Sequence, residues 1–297
     1  MKSSIVTISS PATVKAGSSD RNAATTGIGF KPEYNREALT SPTKGLWFEV
    51  HAEDYMVAGS LRQQLLEGLR RAGREISLHG AGMSLAGAVG PDPERLAILK
   101  RLVDRVEPML VSERLTWSRL GGRCLPGILP VPRTNEVLAR CATNIGRVQE
   151  LLGRQILIEN PAHYLNLSDH SWCETSFLSE LCRRSGCGLL IDVTNVVVGA
   201  HNTGFVASEW LDAVPEDRIG EIQLGGHTLD VEGNLLIDSH DVPVGDLVWD
   251  LYRRLIDRIG PRPTLIERDG NLPSFAALMR ERAHAQNILG GDIALAA

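Results

Sequence analysis

The segment Leu189-Leu190-Ile191-Asp192-Val193 carries the pattern that decides the fold. It is apolar almost throughout and meets its one charged residue near its end, as expected of a strand buried on both faces of a parallel sheet. Seven further short segments share this character: 27–30, 46–51, 76–79, 109–112, 156–159, 219–224 and 264–267. The sequence therefore predicts eight buried strands.

Longer segments with helical periodicity separate these strands. Residues 93–107 place Leu96, Leu99 and Val103 on one stripe, and Asp92-Pro93 supplies an N-cap followed by a first-turn proline. The predicted helices cover residues 60–74, 93–107, 134–152, 174–185, 208–214, 247–259 and 274–282. Strands that alternate with helices predict an α/β fold, a (β/α)8 TIM barrel in one domain.

A doubly wound sheet is the alternative fold, but it normally has fewer strands and a glycine-rich phosphate turn after the first one. The glycines here, Gly27 and Gly29, precede the end of the first strand instead. We expect the barrel domain to span residues 27–285. Residues 1–26, rich in small polar residues, are predicted to form a disordered N-terminal tail, and residues 286–297 a C-terminal tail.

The composition argues against several classes of protein. The 297 residues are 43% hydrophobic and 23% charged with a net charge of -5, which suits a folded chain but provides no basic field for nucleic acid. The apolar runs are too short to span a membrane. Five cysteines without a CxxC pair, and no apolar signal segment, predict reduced thiols in a cytoplasmic protein.

Polar residues gather where the predicted strands end, and TIM-barrel active sites lie at that edge. The strand ends present these residues: Glu49, His51, His79, Glu113, Arg114, Glu159, Asn160, Asp192, Asn195, Gln223, Glu267 and Asp269. So many carboxylates and imidazoles cannot all be charged and unpaired in one mouth. A divalent cation is the simplest partner, and mixed nitrogen and oxygen ligands suit iron, manganese or zinc.

Each of these residues also has a simpler interpretation. His79 alone is more often a hydrogen-bonded interior histidine than a ligand, and Glu159 alone is consistent with a cap or an arginine pair. Asp192 with Asn195 also fits an Asx turn. His163, His170 and His227 are interpreted as structural or surface residues.

A set of short motifs, in order along the chain, resembles the multinuclear non-heme iron-dependent oxidative enzymes. The motifs are Gly27-Ile28-Gly29-Phe30, Trp47-Phe48-Glu49-Val50-His51, Ser77-Leu78-His79-Gly80, Ile158-Glu159-Asn160-Pro161, Asp192-Val193-Thr194-Asn195, Ala200-His201-Asn202, Gly226-His227, Ile237-Asp238-Ser239-His240 and Ile266-Glu267-Arg268-Asp269. The resemblance runs from about residue 27 to about residue 280. It implies a barrel of the xylose-isomerase type.

The resemblance also implies a cofactor, partners and residue roles. Two or three irons would lie in the barrel mouth and use dioxygen to modify a side chain, usually cysteine, of a ribosomally made precursor peptide. A separate partner protein would capture the peptide's leader. Glu159, Asp192 and Glu267 would hold the catalytic iron. The implied metal ligands are His79 at one iron, Asp192 at a second, Asn195, Asp238 and His240 at a third, with Glu159 and Glu267 serving the cluster.

The sequence departs from the family pattern at two ligand positions. Arg114 and Gln223 stand where histidine ligands are expected. Arginine stays protonated and cannot bind a metal, and it offers a carboxylate a competing partner. Glutamine is a weaker donor than imidazole. We therefore expect the His79 site to be weakened most, the Asp192 site less, and the Asn195/Asp238/His240 site to keep its ligands.

Three hypotheses for the function follow. The first is a multinuclear iron oxidase or oxygenase that acts on a peptide. The second is a metal-depleted member without redox chemistry that works as a peptide-binding or complex-assembly subunit. The third is a sugar-isomerase-like barrel or metallo-hydrolase that uses two divalent ions.

Overall fold

The eight predicted strands pair into a closed parallel barrel, in the spatial order 26–29, 264–266, 219–224, 188–192, 157–159, 110–114, 76–80 and 48–51. The computed structural model describes residues 24–120 and 123–290. The strands in these residues are β1 (Thr26–Gly29), β2 (Phe48–His51), β3 (Ile76–Gly80), β4 (Leu110–Arg114), β5 (Trp117–Leu120), β6 (Arg123–Leu129), β7 (Leu157–Glu159), β8 (Gly188–Asp192), β9 (Ile219–Leu224), β10 (Thr228–Leu229), β11 (Leu236–Ile237) and β12 (Thr264–Ile266). The TIM-barrel prediction is confirmed, and the chain forms a single domain around it.

Helices cover the outside of the barrel and turn apolar faces toward it. They are α1 (Asn35–Thr40), α2 (Leu61–Arg71), α3 (Pro93–Val106), α4 (Asn135–Leu152), α5 (Glu174–Ser185), α6 (Val193–Thr203), α7 (Ala207–Ala213), α8 (Asp246–Ile259) and α9 (Phe275–Ile288). Asp92 caps α3 as predicted, since its Oδ1 accepts from the Glu94 backbone N–H at 2.9 Å. The stripe of Leu96, Leu99 and Val103 is buried.

Two hairpins and two helices, α1 and α6, are not among the predicted elements. The antiparallel pairs β5–β6 and β10–β11 follow β4 and β9. Helix α6 begins directly after β8, because Asp192 is both the last strand residue and the N-cap, its Oδ1 accepting from the Asn195 backbone N–H at 2.9 Å. Its β-branched residues suit a strand better than a helix, but burial of residues 193–199 outweighs that preference.

The ends of the domain meet each other. The Thr26 backbone N–H donates to Gln286 Oε1 at 2.9 Å, and helix α9 ends at Ile288, three residues beyond the boundary predicted at 285. Residues 24–26 therefore lead into and begin β1. Residues 1–23 of the predicted N-terminal tail, and residues 291–297 of the predicted C-terminal tail, lie outside the described residues.

Candidate metal centre

Asp192, Asp238 and His240 bring three ligand atoms together at the mouth of the barrel. One ligand atom from each lies within 4.8 Å of the other two. His240 Nε2 is 2.7 Å from Asp238 Oδ1 and 3.6 Å from Asp192 Oδ2. All three atoms are buried; His240 Nε2 and Asp238 Oδ1 form an ion pair, and Asp192 Oδ2 has no hydrogen-bond partner among the described residues. Buried polar atoms are normally satisfied, so this three-residue group has the donors and the geometry for a cation.

The backbone around His240 holds its ring over this group. His240 has a φ of 47°, and its backbone N–H donates to the Gly226 carbonyl at 2.9 Å. At the end of β9, a Cβ atom on Gly225 would collide with the His240 ring. His240 Nδ1 lies 2.7 Å from Glu267 Oε2, the kind of contact that fixes a ligand's orientation. Gly225 and Glu267 therefore position the imidazole.

Glu159, a predicted ligand, is already saturated by protein groups. Its Oε2 lies 2.7 Å from Arg114 Nε and 3.1 Å from His79 Nε2, and its Oε1 accepts from Asn195 Nδ2 at 3.0 Å. The side chain of Glu159 is fully buried and that of Arg114 is 16% exposed. The guanidinium thus provides the positive charge next to Glu159, and this side of the mouth does not fit a metal without rearrangement.

Glu267 is similarly engaged. Gln223 Nε2 donates to its Oε2, and His51 Nε2 lies 2.9 Å from its Oε1. His51, Glu267 and Asp269 form a second group of close ligand atoms, but Lys31 Nζ pairs with Asp269 at 2.6 Å. The ammonium group competes directly with a cation there.

The titration of the mouth residues follows from these contacts. Burial disfavours the charged form of Glu159, but Arg114 and His79 outweigh it and lower its pKa to about 2. Burial likewise opposes protonation of His79, yet Glu159 raises the pKa of that imidazole to about 9. Burial and the nearby Asp238 carboxylate raise the pKa of Asp192 well above its ordinary value. The charged form of Asp192 is therefore disfavoured in the metal-free mouth, and a bound cation would stabilise it.

The structure joins the predicted site residues into one network. His240 lies between Asp192, Asp238 and Glu267, and Asn195 connects Glu159 to Asp192. Asn195 turns its amide nitrogen to Glu159 and leaves its Oδ1 buried without a partner. Glu113, another strand-end carboxylate, instead accepts from the Met83 backbone N–H at 2.7 Å and is structural.

Sequence reasoning missed Glu221, which lies inside the barrel below the mouth. It is fully buried, and neither of its oxygens has a hydrogen-bond partner in the described residues. Burial raises its pKa to about 8, and burial together with Glu221 raises that of Glu49. Side chains two residues apart on a strand share a face, so the position of Glu221 relative to Gln223 was the available signal.

Comparison with known proteins gives the family. Residues 25–290 match the family described as the RiPP precursor modification enzyme MbnB/TglH/ChrH, where RiPP denotes a ribosomally made and modified peptide. The chain belongs to this family. Similar relatives are named only as UPF0276 proteins: one from Caulobacter vibrioides is 53% identical over 89% of this chain and 94% of its own length, and one from Paraburkholderia phytofirmans is 42% identical over 94% and 92%.

The similarity to solved structures supports only the fold of this chain. D-psicose 3-epimerase from Clostridium cellulolyticum H10 superposes with a TM-score of 0.55 at 11% identity, over 90% of this chain and 97% of that one. A xylose isomerase-like TIM barrel protein from Mycobacterium smegmatis gives a TM-score of 0.56 at 13% identity, over 90% and 97%. The predicted barrel of the xylose-isomerase type is confirmed. None of the described helices is long and apolar enough to cross a membrane.

Proposed function

We propose that this chain holds iron at Asp192, Asp238 and His240 and uses it with dioxygen to oxidise a side chain of a ribosomally made precursor peptide, with cysteine as the first candidate. The observation that carries the proposal is the convergence of three buried ligand atoms in a member of a peptide-modifying family. Two carboxylates and one imidazole are donors that iron accepts.

Each residue of the centre has a distinct part in this proposal. Bound iron would supply the redox chemistry with dioxygen. Asp192 Oδ2, Asp238 Oδ1 and His240 Nε2 would bind the ion, while Glu267 accepts the Nδ1 proton of His240 and fixes the ring. Asn195, hydrogen-bonded to Glu159, holds that carboxylate toward Arg114.

We expect fewer metal ions than the two or three that the family resemblance implies. His79 and Glu159 face Arg114, whose charge opposes a cation at that position. Gln223 binds Glu267 through its amide nitrogen instead of offering an imidazole. A single firmly held ion is therefore the expected content.

The surface around the mouth suits a peptide. Of the twelve exposed large apolar side chains among the described residues, ten lie in strand-to-helix connections or at the start of the following helix; the exceptions are Leu151 in α4 and Val206 between α6 and α7. The ten are Val57, Leu61, Val89, Leu129, Tyr164, Leu165, Leu229, Val231, Leu247 and Leu272. Apolar side chains concentrated on one face mark a binding surface for a larger partner. A leader-binding protein and a cytoplasmic location complete the proposal.

Metal analysis of anaerobically purified protein tests the iron centre. After reconstitution, about one iron per chain is expected, and clearly less than one overturns the proposal. If iron is held, the candidate peptide encoded beside the gene should show a mass change by mass spectrometry, coupled to dioxygen consumption. The same incubation under strict anaerobiosis is the control and should give no mass change.

The contact between Arg114 and Glu159 favours a second candidate function. A guanidinium that replaces a cation would suit a member without redox chemistry that binds a peptide or assembles a complex. The double variant Arg114→His with Gln223→His should then contain more iron than the unmodified chain. An unchanged content in a folded double variant counts against this candidate.

A further inference from the structure

A cavity lies beside the metal centre. It has a volume of about 440 Å³ and is bounded by the start of α5, by α7 and by the connection between β7 and α5. None of the predicted metal ligands lines it. A cavity of this size is in the range that binds small ligands or a few side chains.

Apolar side chains form one wall of this cavity. Phe205 and Trp210 lie inside, and Leu165 and Val206 form a rim in which 51% and 53% of each residue is exposed. Exposed aliphatic groups next to a buried indole provide a surface that an apolar side chain would cover.

The charged groups that line the cavity differ in whether they are free to bind a ligand. Both oxygens of Glu174 are engaged, by His163 Nε2 at 2.8 Å and by Trp210 Nε1 at 2.9 Å. Glu209 is exposed to solvent, which screens its charge. Arg133 is half-buried, and no described carboxylate lies within ion-pair distance of it.

The guanidinium of Arg133 is held in place by its Nε, which donates to the Trp172 carbonyl at 3.2 Å. Burial lowers the pKa of Arg133, and Glu174, which is not within ion-pair distance, opposes this shift; arginine remains protonated. A carboxylate is the group that such a fixed guanidinium binds best.

The cavity and the metal centre share a wall. Tyr164 Oη accepts from the backbone N–H of Asp238, a proposed ligand, at 3.1 Å. The next residue, Leu165, lines the cavity. From the other side, Asn202 Nδ2 donates to the carbonyls of His163, at 3.1 Å, and of Leu236, at 2.9 Å. A peptide that extends from the mouth can therefore reach the cavity by crossing the connection between β7 and α5.

We infer that this cavity binds a peptide segment in which an acidic side chain is flanked by apolar ones, with the carboxylate on Arg133 and an apolar side chain against Phe205 and Trp210. This inference rests on the proposed function in one respect, namely that the segment belongs to the precursor peptide. Binding of the segment requires neither metal nor dioxygen. A peptide anchored here would present a neighbouring stretch to the metal centre.

Two neutral-capped tripeptides test the inference, acetyl-Leu-Asp-Leu-amide and its isosteric control acetyl-Leu-Asn-Leu-amide. Each is titrated into metal-free protein, and the Kd is read from the indole N–H resonance of Trp210, which a Trp210→Phe spectrum assigns. We expect the Asp peptide to bind about tenfold or more tightly than the Asn peptide, the scale of one charge-assisted hydrogen bond. Equal affinities overturn the inference.

Variants locate the recognition at Arg133. Arg133→Gln should abolish the preference for the Asp peptide, Arg133→Lys should retain part of it, and Arg253→Gln, on the exposed face of α8, should leave it unchanged. A preference that survives Arg133→Gln overturns the inference. Because these titrations use metal-free protein, they stand or fall separately from the iron measurement.

Discussion

At the scale of single residues, the mouth contains two kinds of carboxylate. Glu159 and Glu267 are surrounded by cationic or amide groups, and burial does not prevent their ionisation. Asp192 and Asp238 share one imidazole, and burial together with the neighbouring Asp238 raises the pKa of Asp192. A cation gains most where two carboxylates share one partner, so Asp192 and Asp238 are the residues through which metal affinity should be altered.

Asp238→Asn should have opposite effects on the two states of the protein. Without metal it removes the repulsion against Asp192, so the Tm should rise or stay level. With metal it removes a charged ligand, so affinity should fall by about 100-fold or more and the metal-induced rise in Tm should disappear. Calorimetry with and without Fe²⁺ measures both. Asp217→Asn, an exposed acid, is the control, and a retained metal-induced rise contradicts the assignment.

Arg114→Met tests what the guanidinium does for Glu159. Removing Arg114 leaves the buried Glu159 with His79 as its remaining cationic partner, which costs on the order of 3 kcal/mol. The variant should therefore unfold at a lower temperature without metal. Metal should restore more stability to it than to the unmodified protein, because Glu159 is released. Equal metal-induced shifts in the two proteins would show that Glu159 takes no part in binding.

At the scale of elements, the loop after β9 and the start of α6 define the centre. Gly225 directly follows β9, where the His240 ring needs space, and Asp192 ends β8 and caps α6. Residues far apart in the chain are thus placed by strand ends, as the barrel architecture requires.

Gly225→Ala should reduce metal affinity without removing any ligand. The added Cβ would push the His240 ring away from Asp192 and Asp238, so the metal-induced rise in Tm should become smaller. Gly146→Ala, in α4 with no atom near the new Cβ, is the matched control and should stabilise the fold by up to about 1 kcal/mol. Isothermal titration with Fe²⁺ compares them, and an unchanged affinity in Gly225→Ala would contradict this placement of His240.

The barrel strands could be predicted from sequence because each is a short apolar run with a polar end. Residues 219–224 match β9 to the residue. Helix α6 could not, since Val196, Val197 and Val198 favour a strand and only tertiary burial makes them helical. The hairpin β5–β6 follows β4 after two residues, and β10 and β11 are two residues each, too short to show periodicity.

For the candidate site, strand-end position indicated which residues meet but not how they pair. Arg114 was expected to offer a carboxylate a partner, and the structure places it on Glu159. The hydrogen bond from Gln223 to Glu267 depends on rotamers that sequence does not encode. Glu221 was missed because it lies one inward-facing position below the strand end, inside the barrel.

At the scale of the whole molecule, the barrel interior contains carboxyl groups whose charged form burial disfavours. Glu221 and Glu49 are buried below the mouth, and the pKa of Glu221 rises to about 8. In the unfolded chain this carboxyl would titrate near its ordinary value of about 4.3. The folded state therefore binds more protons between these two values, and the stability of the protein must fall as pH rises through that window.

Glu221→Gln should remove this pH dependence. Its side-chain amide needs no proton to stay neutral, so the gain in stability over the unmodified protein should be small near pH 5 and grow to the order of 2–4 kcal/mol near pH 8.5. Urea denaturation of metal-free protein at several pH values measures it. Glu150→Gln, on the exposed surface of α4, should show no such trend. A gain that is constant with pH would place the raised pKa elsewhere.

Asp192 links the metal centre to the start of α6. One carboxylate oxygen holds the first turn of α6, and the other faces His240. A cation at the centre and the first turn of α6 therefore both depend on the position of this one side chain. Amide hydrogen exchange at Asn195 and the residues after it should slow when a cation binds. Since Asn202 near the end of α6 holds the His163 connection, that slowing should reach the neighbouring cavity.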